Sequence, residues 1–484
     1  MMNTDLFFSN GLDATTGDYL LPRELTPQQV TQVARGQQWE PNHLEDLKRR
    51  IALTREYHYG VAEGIDPLNL AQTGWGIIFA QGDENTEAIK EALKPLLDRR
   101  RSQAAAGSSH YYKEYVAEAG LLPKETKQQF LARQGAGPGP ADPESVPYYL
   151  LLIGPPDRIP FRFQYQLDVQ YAVGRLHFDT LEEYARYAKG VVEVETGSVA
   201  SSTQAAFFGP RNTCDPATTL SSDHLVKPLA AELTTKFPNW QFTMALDEDG
   251  TKKRLSQLLS GPEPPALLFT ASHGMAFPKG HPLQLDHQGA LLCQDWPGVG
   301  EWHKAIPPDH YFSADDIGPH SRLQGLISFH FACFGAGTPR MDDFVRYSVG
   351  GARELAPQDF LARLPQKMLA HPAGGVLAVI GHVERAWGYS FIWPAAARQL
   401  QTLATFSSTL RRLLNGYTVG AAMEYFNERY AELSTDLSST LHEIDDGAVV
   451  DDLELSRLWT SNNDARSYIV LGDPAVRLVR GNSG

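Results

Sequence analysis

The chain has 484 residues, 42% of them hydrophobic and 21% charged, a balance that excludes a disordered chain and supplies apolar material for one large core or two smaller ones. Its formal net charge of -14 and pI near 5.5 argue against a broad electrostatic footprint for nucleic acid or an anionic membrane, since both need clustered Lys and Arg. The three cysteines, Cys214, Cys293 and Cys333, contain no CxxC pair and suit reduced thiols better than disulfides or a zinc site, so no metal or other cofactor is expected.

The first residues, MMNTDLFFSNGLDATTGDYL, have no basic segment followed by an apolar stretch. No run anywhere approaches the roughly 18 apolar residues of a membrane span, so the expectation is a cytoplasmic protein. Residues 1–72 are polar and turn-rich and read as an N-terminal extension. One helical stretch is expected over 41–57, where Leu44, Leu47, Ile51 and Leu53 recur at roughly helical spacing. From Trp75 the pattern becomes the strand-then-helix alternation of a parallel sheet covered on both faces. GWGIIFAQG is the first strand and ENTEAIKEALKPLLDRR the helix after it. Residues 73–200 form a first, smaller α/β subdomain, interrupted at 101–147 by a linker-like insertion with Ala-Gly-Ser and Gly-Pro clusters. YYLLLIG, AAFFG, WQFTMAL, ALLFTASHG, LISFHFACFG and VLAVIGHV follow as strands. Each is a near-continuous apolar run, as a doubly covered parallel strand requires. Helices are expected at 180–195, 223–236, 250–260, 357–370 and 402–430, and residues 201–484 are expected to form a second, larger α/β domain, the one that carries the reactive residues described next.

In open α/β sheets, reactive groups collect beyond the carboxyl ends of the strands. ALLFTAS delivers His273-Gly274, and LISFHFA delivers Cys333 followed by Phe334-Gly335-Ala336-Gly337. A thiol beside an imidazole is what nucleophilic acyl transfer needs, because the base raises the thiolate fraction and later protonates the leaving amine. Small residues after each group let a substrate backbone approach closely and present backbone N–H groups to a developing oxyanion.

These elements resemble those of caspase-fold (clan CD) cysteine peptidases, and further residues point to the gingipain-like peptidases. An Asp and a Tyr precede a Gly-Arg in LDVQYAVGRL, a strand ends in His-Gly and the next in Ala-Cys, another leads to a Trp in GHVERAWGYSF, and YIVLGDPAVRLV closes on Gly-Asp-Pro. The resemblance spans about residues 148–480 and implies a caspase/gingipain-like, mostly parallel sheet sandwiched between helices. It implies Cys333 as nucleophile, His273 as base, and the backbone of Gly274 and Cys333 as oxyanion hole. Asp168 is similar to the acid that receives a basic P1 side chain, and Trp387 to an aromatic wall of that pocket. Asp168 lies at a different distance from its Tyr than in the family, and the extension differs from a gingipain pro-segment.

Other residues have plainer readings. His281, Asp286, His287 and Cys293 have no compact metal-ligand spacing. His330 lies on the strand face opposite Cys333 and reads as a hydrogen-bonded core histidine. His382 and Glu384 sit just past a strand end, where structure and function are equally served. Asp342 and Asp343 read as acids at a helix start. Residues 277–309 read as a hairpin and loop over the catalytic edge, as a substrate wall or lid.

The combined expectation is a cysteine endopeptidase acting on protein or peptide substrates through Cys333 and His273, for which the resemblance implies a preference for Arg or Lys at P1. The resemblance adds a regulatory protein partner in a bacterial signalling or defence pathway; no nucleic acid or membrane partner is expected. An alternative of a different class is an inactive binding or scaffold module. A serine hydrolase at Ser272 is weaker, since no G-x-S-x-G elbow surrounds it.

Overall fold

The computed structural model describes residues 6–21, 25–36, 60–62, 64–137, 139–199, 202–346, 353–388, 391 and 396–479. The helix expected over 41–57 lies outside them. The strands begin with β1 (Gly11–Asp13), β2 (Trp75–Phe79), β3 (Tyr112–Tyr115), β4 (Tyr149–Ile153), β5 (Ala172–Leu176), β6 (Gln204–Gly209), β7 (Gln241–Leu246) and β8 (Leu267–Ala271). They continue as β9 (Gly274–Ala276), β10 (Leu291–Leu292), β11 (Tyr311–Phe312), β12 (Ile327–Phe331), β13 (Gly337–Thr338), β14 (Phe360–Leu361), β15 (Ala378–His382) and β16 (Tyr468–Gly472).

Ten of them form one sheet in the order β3-β2-β4-β5-β16-β15-β12-β8-β6-β7. Every neighbouring pair is parallel except β15 with β16. The fold is therefore α/β, with a large, mostly parallel sheet between helices, and the strands on either side of the β15–β16 pair run in opposite directions. All residues of β2, β4, β5, β8, β12, β15 and β16 are buried, which explains why these segments show continuous rather than alternating hydrophobicity. The sheet is continuous across residue 200, so the two subdomains read from sequence share one core.

Three differences from the sequence reading have physical reasons. The insertion at 101–147 contributes the edge strand β3, whose sequence YKEY is half-exposed and polar, as a blunted sheet edge often is. The helix expected at 402–430 is broken into Ala396–Leu414 and Glu424–Asp445, because Gly416 takes φ +78° and ends the first. The polar helix Asp452–Arg466 gave no apolar periodicity, yet it buries Ser456, Thr460, Ser461, Asn462, Asn463 and Asp464. It packs against Glu424–Asp445 and against the helix Pro27–Gly36 of the extension.

A second, four-stranded sheet, β1-β9-β10-β11, stands on the edge where β8 and β12 end. It contains the hairpin expected between His273 and Cys333, and its outer strand β1 comes from the extension. No helix among the described residues is long and apolar enough to cross a membrane.

Candidate active site

β8 and β12 are hydrogen-bonded neighbours in register from Leu267 opposite Ile327 to Ala271 opposite Phe331. Parallel strands in that register release the residues two beyond each end, His273 and Cys333, side by side on one sheet edge. The backbones there are as close as they can be: a Cβ on Gly274 would lie 1.8 Å from the carbonyl oxygen of Cys333. Phe334 then adopts φ +59°, a left-handed conformation costly for a non-glycine residue and sustained only by its surroundings. Its N–H donates to Glu384 O at 2.6 Å, and Ala336 N–H donates to His382 O at 3.0 Å, so the turn after Cys333 is fastened to the loop after β15.

The Cys333 sulfur is fully buried. It accepts from Ala386 N–H at 3.2 Å, and lies 3.7 Å from Ala386 O and 3.9 Å from Ser9 Oγ. Burial pushes the thiol up to about 12, against the opposing effects of the Ala386 N–H and the Arg385 charge. In this state the sulfur is a protonated thiol at neutral pH.

His273 is equally buried, and its Nε2 lies 2.6 Å from Asp215 Oδ2. Asp215 caps the helix Pro216–Ser221, accepting from Ala217 N–H at 3.2 Å and Thr218 Oγ1 at 2.8 Å, and it also accepts from the Tyr19 hydroxyl. Burial alone would raise its pKa; the neighbouring His273 and the hydrogen bonds from His273, Tyr19 and Thr218 outweigh this and hold it below the usual carboxylate range. An ionised Asp215 accepts only, so Nε2 must carry the proton and Nδ1 is left as the basic nitrogen. Nδ1 is buried and has no hydrogen-bond partner among the described residues. The rings of Tyr19 and Trp296 stand edge-on to the imidazole, with centroids at 5.4 and 6.4 Å.

Asp215 was not among the residues singled out from sequence. Its local signal, Asp followed by Pro at the first helical position, is that of an ordinary helix start. Only the tertiary arrangement carries it to the histidine.

Trp387 lies on the segment after β15 that borders the thiol, bridging Ser9, and is packed against Phe344 and Trp459. Asp168 ends the helix Phe161–Asp168, where its carboxylate accepts from Val173 N–H at 3.2 Å. Burial raises its pKa well above the usual carboxylate value, opposed by that hydrogen bond and by Arg175. His330 is bonded to Ser328 Oγ at 2.8 Å, and burial lowers its pKa to about 4. His382 Nε2 lies 3.2 Å from the backbone oxygen of Asp464, and Glu384 pairs with Arg385. Asp342 forms a bidentate pair with the same Arg385 at 2.9 and 2.7 Å, a more specific role than that of a helix-start acid. His287 is held between Tyr311 OH at 2.7 Å and Asp315 at 3.0 Å, and Cys293 Sγ donates to Leu291 O.

The mouth of the cleft is covered by the start of the chain. Gly388 N–H donates to Phe8 O at 3.2 Å, Asn10 N–H donates to Ala386 O at 3.0 Å, and Gly274 N–H donates to Asn10 O at 3.0 Å. β1 then continues parallel to β9, with Gly11 opposite Gly274.

No family model and no curated protein matches the chain. Among solved structures, it is similar to the Arg-specific cysteine proteinase gingipain R (RgpB), with 14% identity, coverage of 84% of this chain and 78% of that one, and a TM-score of 0.48. It is also similar to a complex of Porphyromonas gingivalis RgpB pro- and mature domains, with 13% identity, coverage of 84% and 80%, and a TM-score of 0.46. A third structure, described as a protease, aligns with 12% identity, coverage of 84% and 79%, and a TM-score of 0.47.

Proposed function

We propose that the chain is a cysteine endopeptidase with Cys333 as nucleophile, His273 as general base and acid, and Asp215 as the group that orients His273. The observation that carries this is an imidazole fixed through one nitrogen by a buried carboxylate, its other nitrogen without a hydrogen-bond partner among the described residues, beside a cysteine on the adjacent strand tip. In the reaction, Nδ1 takes the thiol proton and sulfur attacks the peptide carbonyl. The oxygen, now negative, accepts from the N–H of Gly274 and of Cys333. The imidazolium then gives its proton to the departing amine. Water, activated by the same nitrogen, releases the acyl group from sulfur.

The main-chain hydrogen bonds to Ala386 and Gly388 are the means by which an extended peptide would be held, as an added strand along the segment that carries Trp387. A preference for Arg or Lys at P1 through Asp168 has weaker support, since that carboxyl is engaged with Val173 and inclined to stay neutral. Profiling a peptide library decides it.

The inactive-module alternative draws on the complete burial of the thiol. The two are separated by prolonged incubation of wild type, Cys333→Ala and His273→Ala with unfolded protein substrate, followed by mass spectrometry of the fragments. Wild-type fragments lost in both variants are expected; identical fragment sets in all three would overturn the peptidase assignment.

A further inference from the structure

Residues 7–14 do not merely lie over the cleft. Their backbone engages both walls with the polarity and spacing of a bound peptide. On one wall, Phe8 O and Asn10 N–H pair with Gly388 and Ala386, and Ser9 bridges Trp387 antiparallel between them. On the other, Asn10 O accepts from the amide that follows His273. One residue further on, Gly11 passes the nucleophile so closely that a Cβ there would lie 3.1 Å from Cys333 Sγ and 2.8 Å from Leu20 Cδ1. A carbonyl held by the Gly274 N–H, with the sulfur against the next residue, is the geometry of a bond presented for attack. The Asn10 side chain is fully buried, and neither amide atom has a hydrogen-bond partner among the described residues. Flanking residues anchor the segment: Phe7 exchanges two main-chain hydrogen bonds with Leu25 and enters a cluster with Trp387, and Phe8 packs with Ala217 and Leu220.

Resting on the cysteine-peptidase assignment, we propose that Phe8–Gly11 occupies the substrate path in cis as a pseudosubstrate, with Asn10 in the P1 position, so that the folded chain is self-inhibited and its P1 pocket takes an asparagine-like amide. The contacts also explain why such a segment inhibits rather than leaves. If sulfur attacks Asn10 C and the bond to Gly11 N breaks, His273 protonates that amine, but Leu12 and Asp13 remain paired with Met275 and Ala276. The amine is thereby kept beside the thioester, and its return, releasing the thiolate and giving back the proton, competes with water. The high pKa of the covered thiol agrees with a resting state, since uncovering would return the sulfur to solvent.

The test uses the full chain and two readouts. Gly11→Ala places a methyl against Sγ and Leu20, so it is expected to displace the segment and raise the iodoacetamide labelling rate of Cys333 about tenfold or more over wild type. Labelling needs no catalysis, so a rise without any peptide turnover sustains the cover and sinks the peptidase assignment. Equal rates in both proteins, with turnover intact, overturn the cover and leave the peptidase standing. In wild type alone, Cys333 is expected to label more slowly than the exposed Cys214, a measurement that holds if Gly11→Ala fails to fold. The register is read from acetyl-Phe-Ser-Asn and acetyl-Phe-Ser-Arg aminomethylcoumarin substrates with Gly11→Ala: faster release from the Asn peptide supports Asn10 at P1, and faster release from the Arg peptide overturns it.

Discussion

A buried carboxylate that accepts from four donors is a stiff support for an imidazole, and this makes Asp215 the residue whose loss separates orientation from chemistry. Asp215→Asn keeps the shape but allows the other tautomer of His273, so kcat is expected to fall about a hundredfold or more with KM little changed, measured on a displaced-segment background. His273 and Cys333 were legible in the sequence because each follows an apolar strand directly. Asp215 was not, since its neighbours report only a helix cap and the contact with His273 is long-range. Cys333 itself gives a pH prediction. With its pKa pushed from 9.0 up to about 12, the covered state is undisturbed below pH 9 and is weakened as pH rises from there toward 12, because the uncovered thiol ionises first. The pH profile of Cys333 alkylation in wild type should therefore still be climbing above pH 10, and the midpoint in Gly11→Ala should move down toward 9.

At the scale of elements, the motifs behind the family resemblance separate into reactive and structural ones. Gly174 of the Gly-Arg pair and Gly472 of Gly-Asp-Pro belong to adjacent strands, and a Cβ on Gly174 would lie 2.1 Å from Gly472 O. Asp473 accepts from Trp75 Nε1 at 3.0 Å and Arg100 Nε at 2.6 Å, and Arg100 also bonds Glu195 at 2.9 Å. Those residues fasten the helix Lys94–Ala104 to the sheet, far along the chain from the strands that lead to His273 and Cys333. Arg100→Ala leaves Asp473 buried without its cation, so a loss of about 3–5 kcal/mol in denaturant unfolding is expected, with catalytic parameters unchanged in the protein that remains folded. The strands were readable because full burial imposes unbroken hydrophobicity. The helix Asp452–Arg466 was not, because buried Ser, Thr and Asn stand among Leu455, Leu458 and Trp459 on its packed surface and interrupt the apolar stripe.

Across the whole molecule, the sheet reverses once, at the β15–β16 pair, and sequence periodicity carries no information about strand direction. β12 and β15 lie on the same side of that reversal and run parallel, which is why Cys333 and the Trp387 segment, each just beyond its strand's carboxyl end, open on a single edge. The core also sets an acid limit. His330 is held neutral, its pKa lowered from 6.5 to about 4 by burial, so its contribution is complete above pH 6.5 and is lost as pH falls through about 4. Over that interval it accounts for about 3 kcal/mol of the fall in stability, which unfolding titrations of wild type and His330→Gln should show as a shallower slope in the variant.

An inhibitor carried on the same polypeptide behaves unlike a separate one. The strand that lies across the sulfur cannot be diluted away, and a competing peptide must match its local concentration, of order millimolar for short tethers. Abundance of substrate would then be a poor trigger. The quantity that governs output is the free energy of peeling Phe7 and Phe8 from their hydrophobic seats, which a mechanical pull, a binder of the first residues or an upstream cut can supply independently of enzyme concentration.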